Sequence, residues 1–160
     1  MKILGLSGSL RSDSHNTRLL LGAGGLLPRG TEFEVFEQLS SIPPYNEDDE
    51  HTTPPAVDAL KRAIAGADAV LVATPEYNAS IPGVLKNALD WVSRPVADSP
   101  LKGKPAAVIG ARVVDRELPV GQADEALGAN GLPLERELVQ ELSATLDEML
   151  ELAQPHRVAA

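Results

Sequence analysis

Thr74-Pro-Glu-Tyr-Asn-Ala-Ser-Ile-Pro-Gly-Val-Leu-Lys-Asn-Ala-Leu-Asp-Trp-Val-Ser-Arg-Pro95 is the stretch that decides the fold of this chain. Ahead of it, Asp68-Ala-Val-Leu-Val-Ala73 is a short apolar run without alternation. That is the pattern of a strand buried on both faces, and such strands belong to parallel sheets covered by helices. The residues from Thr74 to Pro82 combine turn formers with polar donors, which is the composition of a ligand loop leaving the strand's carboxyl end. The spacing predicts a helix that starts at Pro82, whose fixed φ suits a first helical position. It should stop at Arg94, because Pro95 disfavours helical geometry in the residue before it. Leu85, Ala88, Leu89 and Val92 form one apolar stripe able to lie on a sheet. Val84, Ala88 and Trp91 form a second, and a second stripe predicts a further buried contact, with another subunit as the candidate.

Toward the amino terminus, Lys2 to Ser7 reads as another buried strand, and Gly8-Ser-Leu-Arg-Ser-Asp-Ser-His-Asn16 follows at once. A helix carrying Leu19, Leu20, Leu26 and Leu27 on its inner side comes next. Strand, Gly/Ser loop and helix make an anion-binding arrangement. The helix start offers N–H groups and a positive dipole end, and hydroxyl, amide and guanidinium groups add donors. Ser9, Arg11, Ser14 and Asn16 are those donors. The same residues also read as a helix cap and turn, a role that Ser14 or Asn16 fills by residue type alone. The loop lacks the lysine and spacing of a nucleoside-triphosphate loop and has no G-x-G-x-x-G, so a compact monophosphate fits it best.

Thr31 to Gln38 alternates Phe33, Val35 and Leu39 beyond it against Glu32, Glu34 and Glu37, as an edge strand does. Ile42 to Pro55 is too rich in proline and acid for regular structure. A second helix follows from Pro55 to Gly66 with Val57, Leu60 and Ile64 inward, and Pro105 to Ile109 is a fourth buried strand. The resulting βαβαβαβ order implies an α/β fold, a doubly wound parallel sheet of strand order 2-1-3-4-5. In that order the loops after strands one and three face each other across the switch point, where ligands bind.

After Ile109 the pattern breaks. Arg112 to Leu118 suits a fifth strand, but Gly110-Ala111 is far too short for a parallel crossover, so the crossover after strand 4 is missing or shortened. Gly121 to Pro133 reads as loop. A closing helix is predicted from Leu134 to Ala153, with Leu138, Leu142, Leu146, Met149 and Leu150 inward and its acidic residues in water.

The 160 residues suit one domain spanning 1–160. A formal charge of −9 opposes nucleic acid and anionic membrane as partners. There are no cysteines, hence no disulfide or thiolate metal site. The chain opens directly on a strand with no leader-like segment, which sets a cytoplasmic expectation. His15, His51 and His156 are too scattered for a metal or nucleophile triad, and no metal site is expected.

Pro75-Glu-Tyr-Asn78, Ser80, Pro82-Gly83, Lys86-Asn87-Ala88, Asp90-Trp91 and Ser93-Arg94-Pro95, together with the Gly8-to-Asn16 loop, resemble the signature of the NAD(P)H-dependent FMN reductases of flavodoxin-like fold. The quinone, azo-dye and chromate reductases are relatives within that family. The resemblance implies FMN with its phosphate on Ser9, Arg11, Ser14 and Asn16, and its ring edge held by Pro75, Glu76, Tyr77, Asn78 and Ser80. It implies NADPH or NADH as donor, a small-molecule acceptor such as a quinone or free flavin, and a homodimer or homotetramer. No side chain need act as acid or base, because the flavin carries the chemistry. Tyr45 and Asn46 match a Pro-x-Tyr-Asn segment near the flavin edge and are secondary candidates. Two other readings stand beside this one: a flavodoxin-type electron-transfer module, and a regulatory or structural relative without flavin.

Overall fold

In the computed structural model, residues 1–110 and 126–154 are described. In chain order they form β1 (Lys2–Ser7), α1 (His15–Gly24), β2 (Glu32–Val35), α2 (Pro55–Ala65), β3 (Ala69–Ala73), α3 (Gly83–Val92), β4 (Ala106–Ile109) and α4 (Arg136–Ala153). The strands pair in the order β2-β1-β3-β4, and every pairing is parallel. This is the flavodoxin-like order expected for strands one to four. The expected fifth strand, Arg112 to Leu118, lies outside the described residues.

Alternation along the strands sorts the core into two layers. Leu4, Leu6 and Val70 face α2 and α3, where they meet Leu60, Ile64, Ala88 and Trp91. Ile3, Ala69, Leu71 and Ala73 face α1 and α4, where they meet Leu20, Leu146 and Met149. Central strands thus need apolar residues at successive positions, which is why they read as unbroken runs. Each such side chain contributes roughly 1.5–3 kcal/mol by leaving water. No helix among the described residues is long and apolar enough to cross a membrane.

Several expectations need correction. Pro82 is the residue before α3 rather than its first, with ψ at 146°, and the helix ends at Val92. α1 stops at Gly24, so Leu26 and Leu27 pack beneath the sheet from the following turn instead of from the helix. Leu39 leaves the face that Phe33 and Val35 use. A 3-10 turn at Leu39–Ser41 carries it over to the α2/α3 layer. The acidic stretch is not irregular throughout: Glu47–Thr52 forms a 3-10 helix whose Asn46 side chain accepts the Asp48 N–H at 3.2 Å. Its four acidic residues sit at the helix start, where the dipole favours them.

The second apolar stripe of α3 needs no other subunit. Trp91 is 1% exposed, and its indole N–H donates to the Pro43 carbonyl at 2.8 Å. One turn earlier, the Asn87 amide donates to the same carbonyl at 2.9 Å and accepts the Tyr45 N–H at 2.7 Å. The Tyr45 ring meets Trp91 edge to face at 5.1 Å. The contact that the stripe called for is therefore the chain's own Pro43–Tyr45 segment.

Leu138 is also misplaced by periodicity. It is 45% exposed, while Leu142 and Leu146 of the same stripe are buried. Val108 of β4 is 66% exposed, and it and Leu138 border a groove of about 410 Å³ with Leu19, Ile109 and Leu142.

Candidate functional site

β1 ends at Ser7, whose hydroxyl shares a 2.7 Å hydrogen bond with Thr17 and receives the Ser9 N–H at 3.4 Å. Ser9 Oγ in turn accepts the Arg11 N–H at 3.4 Å. These local bonds fold the loop back over the start of α1 instead of letting it run on. Ser14 caps the helix, accepting the Thr17 N–H at 3.2 Å, and is buried. The cap reading of Ser14 therefore describes its bond, while its hydroxyl hydrogen can still be donated. Asn16 is buried beside it, and Arg11 is exposed.

The second loop is a tight reversal. Tyr77 and Ser80 exchange both backbone bonds, at 2.8 and 3.1 Å, across Asn78 and Ala79, whose φ values are 52° and 57°. Left-handed geometry at both central positions is that of a type I′ turn. Asparagine tolerates it, but alanine there costs on the order of 1 kcal/mol. The turn holds Tyr77, Asn78 and Ser80 on a rigid exposed tip, and Glu76 is exposed beside them.

Thr74 joins the two loops. The Gly8 N–H donates to Ala73 O at 2.7 Å, and a β-carbon on Gly8 would stand 2.5 Å from Thr74 Oγ1. On the other side the Thr74 N–H donates to Ile109 O at 3.0 Å. A β-carbon on Gly110 would stand 2.2 Å from Thr74 O and 3.5 Å from Asn16 Oδ1. The ends of β1, β3 and β4 thus meet at backbone distance, possible only because Gly8 and Gly110 carry no side chain.

Over this junction opens a cleft of about 480 Å³ lined by Gly8, Ser9, Leu10 and Arg11 from the first loop and Tyr77, Pro82, Gly83 and Val84 from the second. Cofactor-sized ligands occupy clefts of about 300–1,000 Å³. Arg11 is the one charged side chain of that lining, which otherwise combines Ser9 with the apolar Leu10, Tyr77, Pro82 and Val84. Of the expected site residues, Ser9, Arg11 and Tyr77 come together in it. Ser14 and Asn16 lie buried at the start of α1. Pro75, Glu76, Asn78 and Ser80 belong to the adjoining loop without lining the cleft.

Gly8, Leu10, Pro82, Gly83 and Val84 were not singled out by a search for donors. Gly83 is the telling one: a β-carbon there meets nothing within 4 Å. Neither packing nor a left-handed φ requires a glycine at that helix start. Among the described residues no His, Cys, Asp and Glu group could hold a metal ion.

Tyr45 sits against α3 through its Asn87 bond and its ring contact with Trp91, Asn46 bonds to Asp48 and Asp49 of the following 3-10 helix, and neither lines the cleft. The Tyr45 hydroxyl donates to Glu50 at 2.5 Å, and that bond, with some burial, holds its pKa above the ordinary 10.0. The phenol–carboxylate bond thus stabilises the fold below the ordinary phenol pKa and is lost as pH rises through the raised one. With Tyr77 changed to Phe, Tyr45 is the remaining tyrosine of the chain's two. Its phenolate absorbance is expected to rise above pH 10, and Glu50→Gln should bring the midpoint back down. An unmoved midpoint would remove Glu50 as the cause.

Residues 1–122 match the family model described as NADPH-dependent FMN reductase. An NAD(P)H-dependent FMN reductase of Pseudomonas aeruginosa is 54% identical over 69% of this chain and 60% of its own length. A 2-hydroxy-1,4-benzoquinone reductase of a Burkholderia species is 46% identical over 71% of this chain and 61% of its own. The chain therefore spans about three-fifths of the length of these curated relatives. Among solved structures, the flavoenzyme NAD(P)H:(acceptor) oxidoreductase FerB of Paracoccus denitrificans superposes with a TM-score of 0.78 at 31% identity, covering 95% of this chain and 96% of that one.

Proposed function

We propose, from the premise that this chain belongs to the NADPH-dependent FMN reductase family, that it binds FMN noncovalently in the cleft between its two loops and uses NADPH or NADH to reduce small acceptors. Quinones and free flavin are the acceptor classes, a reading supported by relatives named quinone reductase and FMN reductase. FMN, when bound, supplies the two-electron redox chemistry. The protein's part is to bind and orient. Ser9 and Arg11, with the start of α1, offer hydroxyl, guanidinium and dipole to a phosphate. Ser14 and Asn16, buried at the start of α1, complete the phosphate set with a hydroxyl and an amide. The rigid Tyr77–Ser80 turn, with Pro75 and Glu76 leading into it, sets the edge against which a flat ring is registered.

The observation that carries this reading is one cleft whose lining joins Ser9 and Arg11 of the first loop to Tyr77 of the second, with open space at Gly83. It is tested by an anaerobic visible spectrum of the protein with equimolar FMN, before and after NADPH. A bound-flavin spectrum that bleaches is expected. Bound flavin that NADPH leaves oxidised would favour an electron-transfer module, and no binding would favour a flavin-less relative. Arg11→Ala should weaken FMN by about 1.5–3 kcal/mol through loss of a charge-assisted phosphate contact, read by flavin fluorescence titration. Unchanged affinity would sink the phosphate assignment. The same reading carries a cytoplasmic setting and a homodimer or homotetramer, which sedimentation of the FMN-loaded protein would test.

A further inference from the structure

We infer that Thr74 is a positioning residue for the cofactor: its hydroxyl restrains the direction in which the Tyr77–Ser80 turn leaves β3, and with it the spacing between that turn and the Gly8-to-Asn16 loop. This inference rests on the FMN reading of the cleft. Backbone accounting singles the residue out. The Thr74 N–H makes the last bond at the end of β3, to Ile109 O at 3.0 Å, and the Tyr77 N–H makes the first bond of the turn, to Ser80 O at 2.8 Å. Between them Pro75 has no N–H to give, and the Glu76 N–H has no acceptor among the described residues. One hydrogen bond holds this lead-in there: the Thr74 hydroxyl donates to Pro75 O at 3.0 Å.

That bond acts on the soft angle left at Pro75. The proline ring sets φ, so ψ decides where the Pro75 carbonyl points and where the chain runs next. The turn beyond is closed by its own two backbone bonds and moves as a unit, so a change of ψ at Pro75 carries Tyr77 with it. Tyr77 lines the cleft. The hydroxyl is itself located from the other side, because a β-carbon on Gly8 would stand 2.5 Å from Thr74 Oγ1 and 3.0 Å from the Thr74 β-carbon. The half-buried threonine side chain therefore lies directly against the backbone of the first loop, and Gly8 lines the same cleft. One side chain thus touches the first loop and bonds the lead-in of the second. A ligand that spans both loops depends on that link, whereas a residue that served packing alone would do as well with a methyl group in place of the hydroxyl.

The test titrates FMN into the apo-protein by flavin fluorescence and records the visible circular dichroism of the saturated protein, which reports how fixedly the ring is held. Thr74→Val keeps the branched shape and removes the hydroxyl. It is expected to weaken FMN about threefold to tenfold, the size of one net hydrogen bond, and to reduce the dichroism at saturation. Thr74→Ser, which keeps the hydroxyl, should retain the wild-type affinity and signal. A valine variant that binds FMN with wild-type affinity and dichroism overturns the inference. A serine variant that loses as much as valine does also overturns it, by giving the effect to the shape of the side chain, and a valine variant that fails to fold does so by giving the hydroxyl to the fold. Wild-type protein that takes up no FMN is a different result: it overturns the reading beneath, and this inference with it.

Discussion

Trp91→Ala is expected to destabilise the fold by about 3–5 kcal/mol, the range for truncating a buried aromatic, and to lower the thermal midpoint by roughly 10 °C in a chain of this size. Trp91 is 1% exposed and belongs to the layer that holds α3 on the sheet. Truncation opens a cavity there and removes the edge-to-face contact with Tyr45 at 5.1 Å. It also takes one of two donors from the Pro43 carbonyl, leaving the Asn87 amide at 2.9 Å. Trp91→Phe isolates that last contribution. It keeps most of the apolar bulk and should cost about 1–2 kcal/mol, mainly for the missing N–H. Urea unfolding of both variants checks the ordering. Had α3 used Trp91 to bind another subunit, the alanine variant would change oligomeric state while keeping the monomer's unfolding midpoint, and that result would overturn the intramolecular assignment.

Trp91 also marks where sequence reading reaches its limit. Its period placed it correctly on a second buried face, but periodicity says only that a face is covered, not by what. The cover is Pro43–Tyr45, a segment whose prolines made it look like solvated loop. β4 read as equally buried, though its Ala106 and Val108 are exposed, whereas β1 and β3 were legible because a central parallel strand is buried on both sides and must be apolar at every position. Leu39 was not, because one 3-10 turn carries a residue from one layer to the other and leaves the hydropathy pattern unchanged. Leu138 was misjudged because a helical period marks a face without saying how much of its length is covered, and at the start of α4 that face leaves Leu138 45% exposed.

The candidate site divides in the same way. Ser9 and Arg11 could be named as donors beside a helix start, a pattern that also reads as cap and turn, and Tyr77 only through the family resemblance. Gly8, Gly110 and Gly83 could not. What a glycine means depends on what its β-carbon would meet. At Gly8 and Gly110 that is Thr74, so these two are small because the protein occupies the space. At Gly83, which lines the cleft, it is open space, so the same residue type carries the opposite message.

Gly83→Leu is therefore expected to fold normally and to lose FMN. No protein atom lies within 4 Å of the added β-carbon, and leucine is a better helix former than glycine, by up to about 1 kcal/mol in a helix interior. The unfolding midpoint should stay or rise slightly. The side chain would stand in the cleft it lines, and overfilling a formed site costs about 1–3 kcal/mol or more, so FMN affinity should fall on the order of a hundredfold. Gly83→Ala, with a single methyl group, should fall between wild type and leucine. Two results would overturn the argument: a leucine variant that binds FMN as wild type does, which moves the ligand elsewhere, or one that unfolds, which returns the glycine to packing. Salt separates this loss from that of Arg11→Ala. Removing the guanidinium should flatten the salt dependence of FMN binding, because the charge that salt screens is gone. Gly83→Leu should leave that dependence intact, since it changes no charge and leaves Arg11 in place.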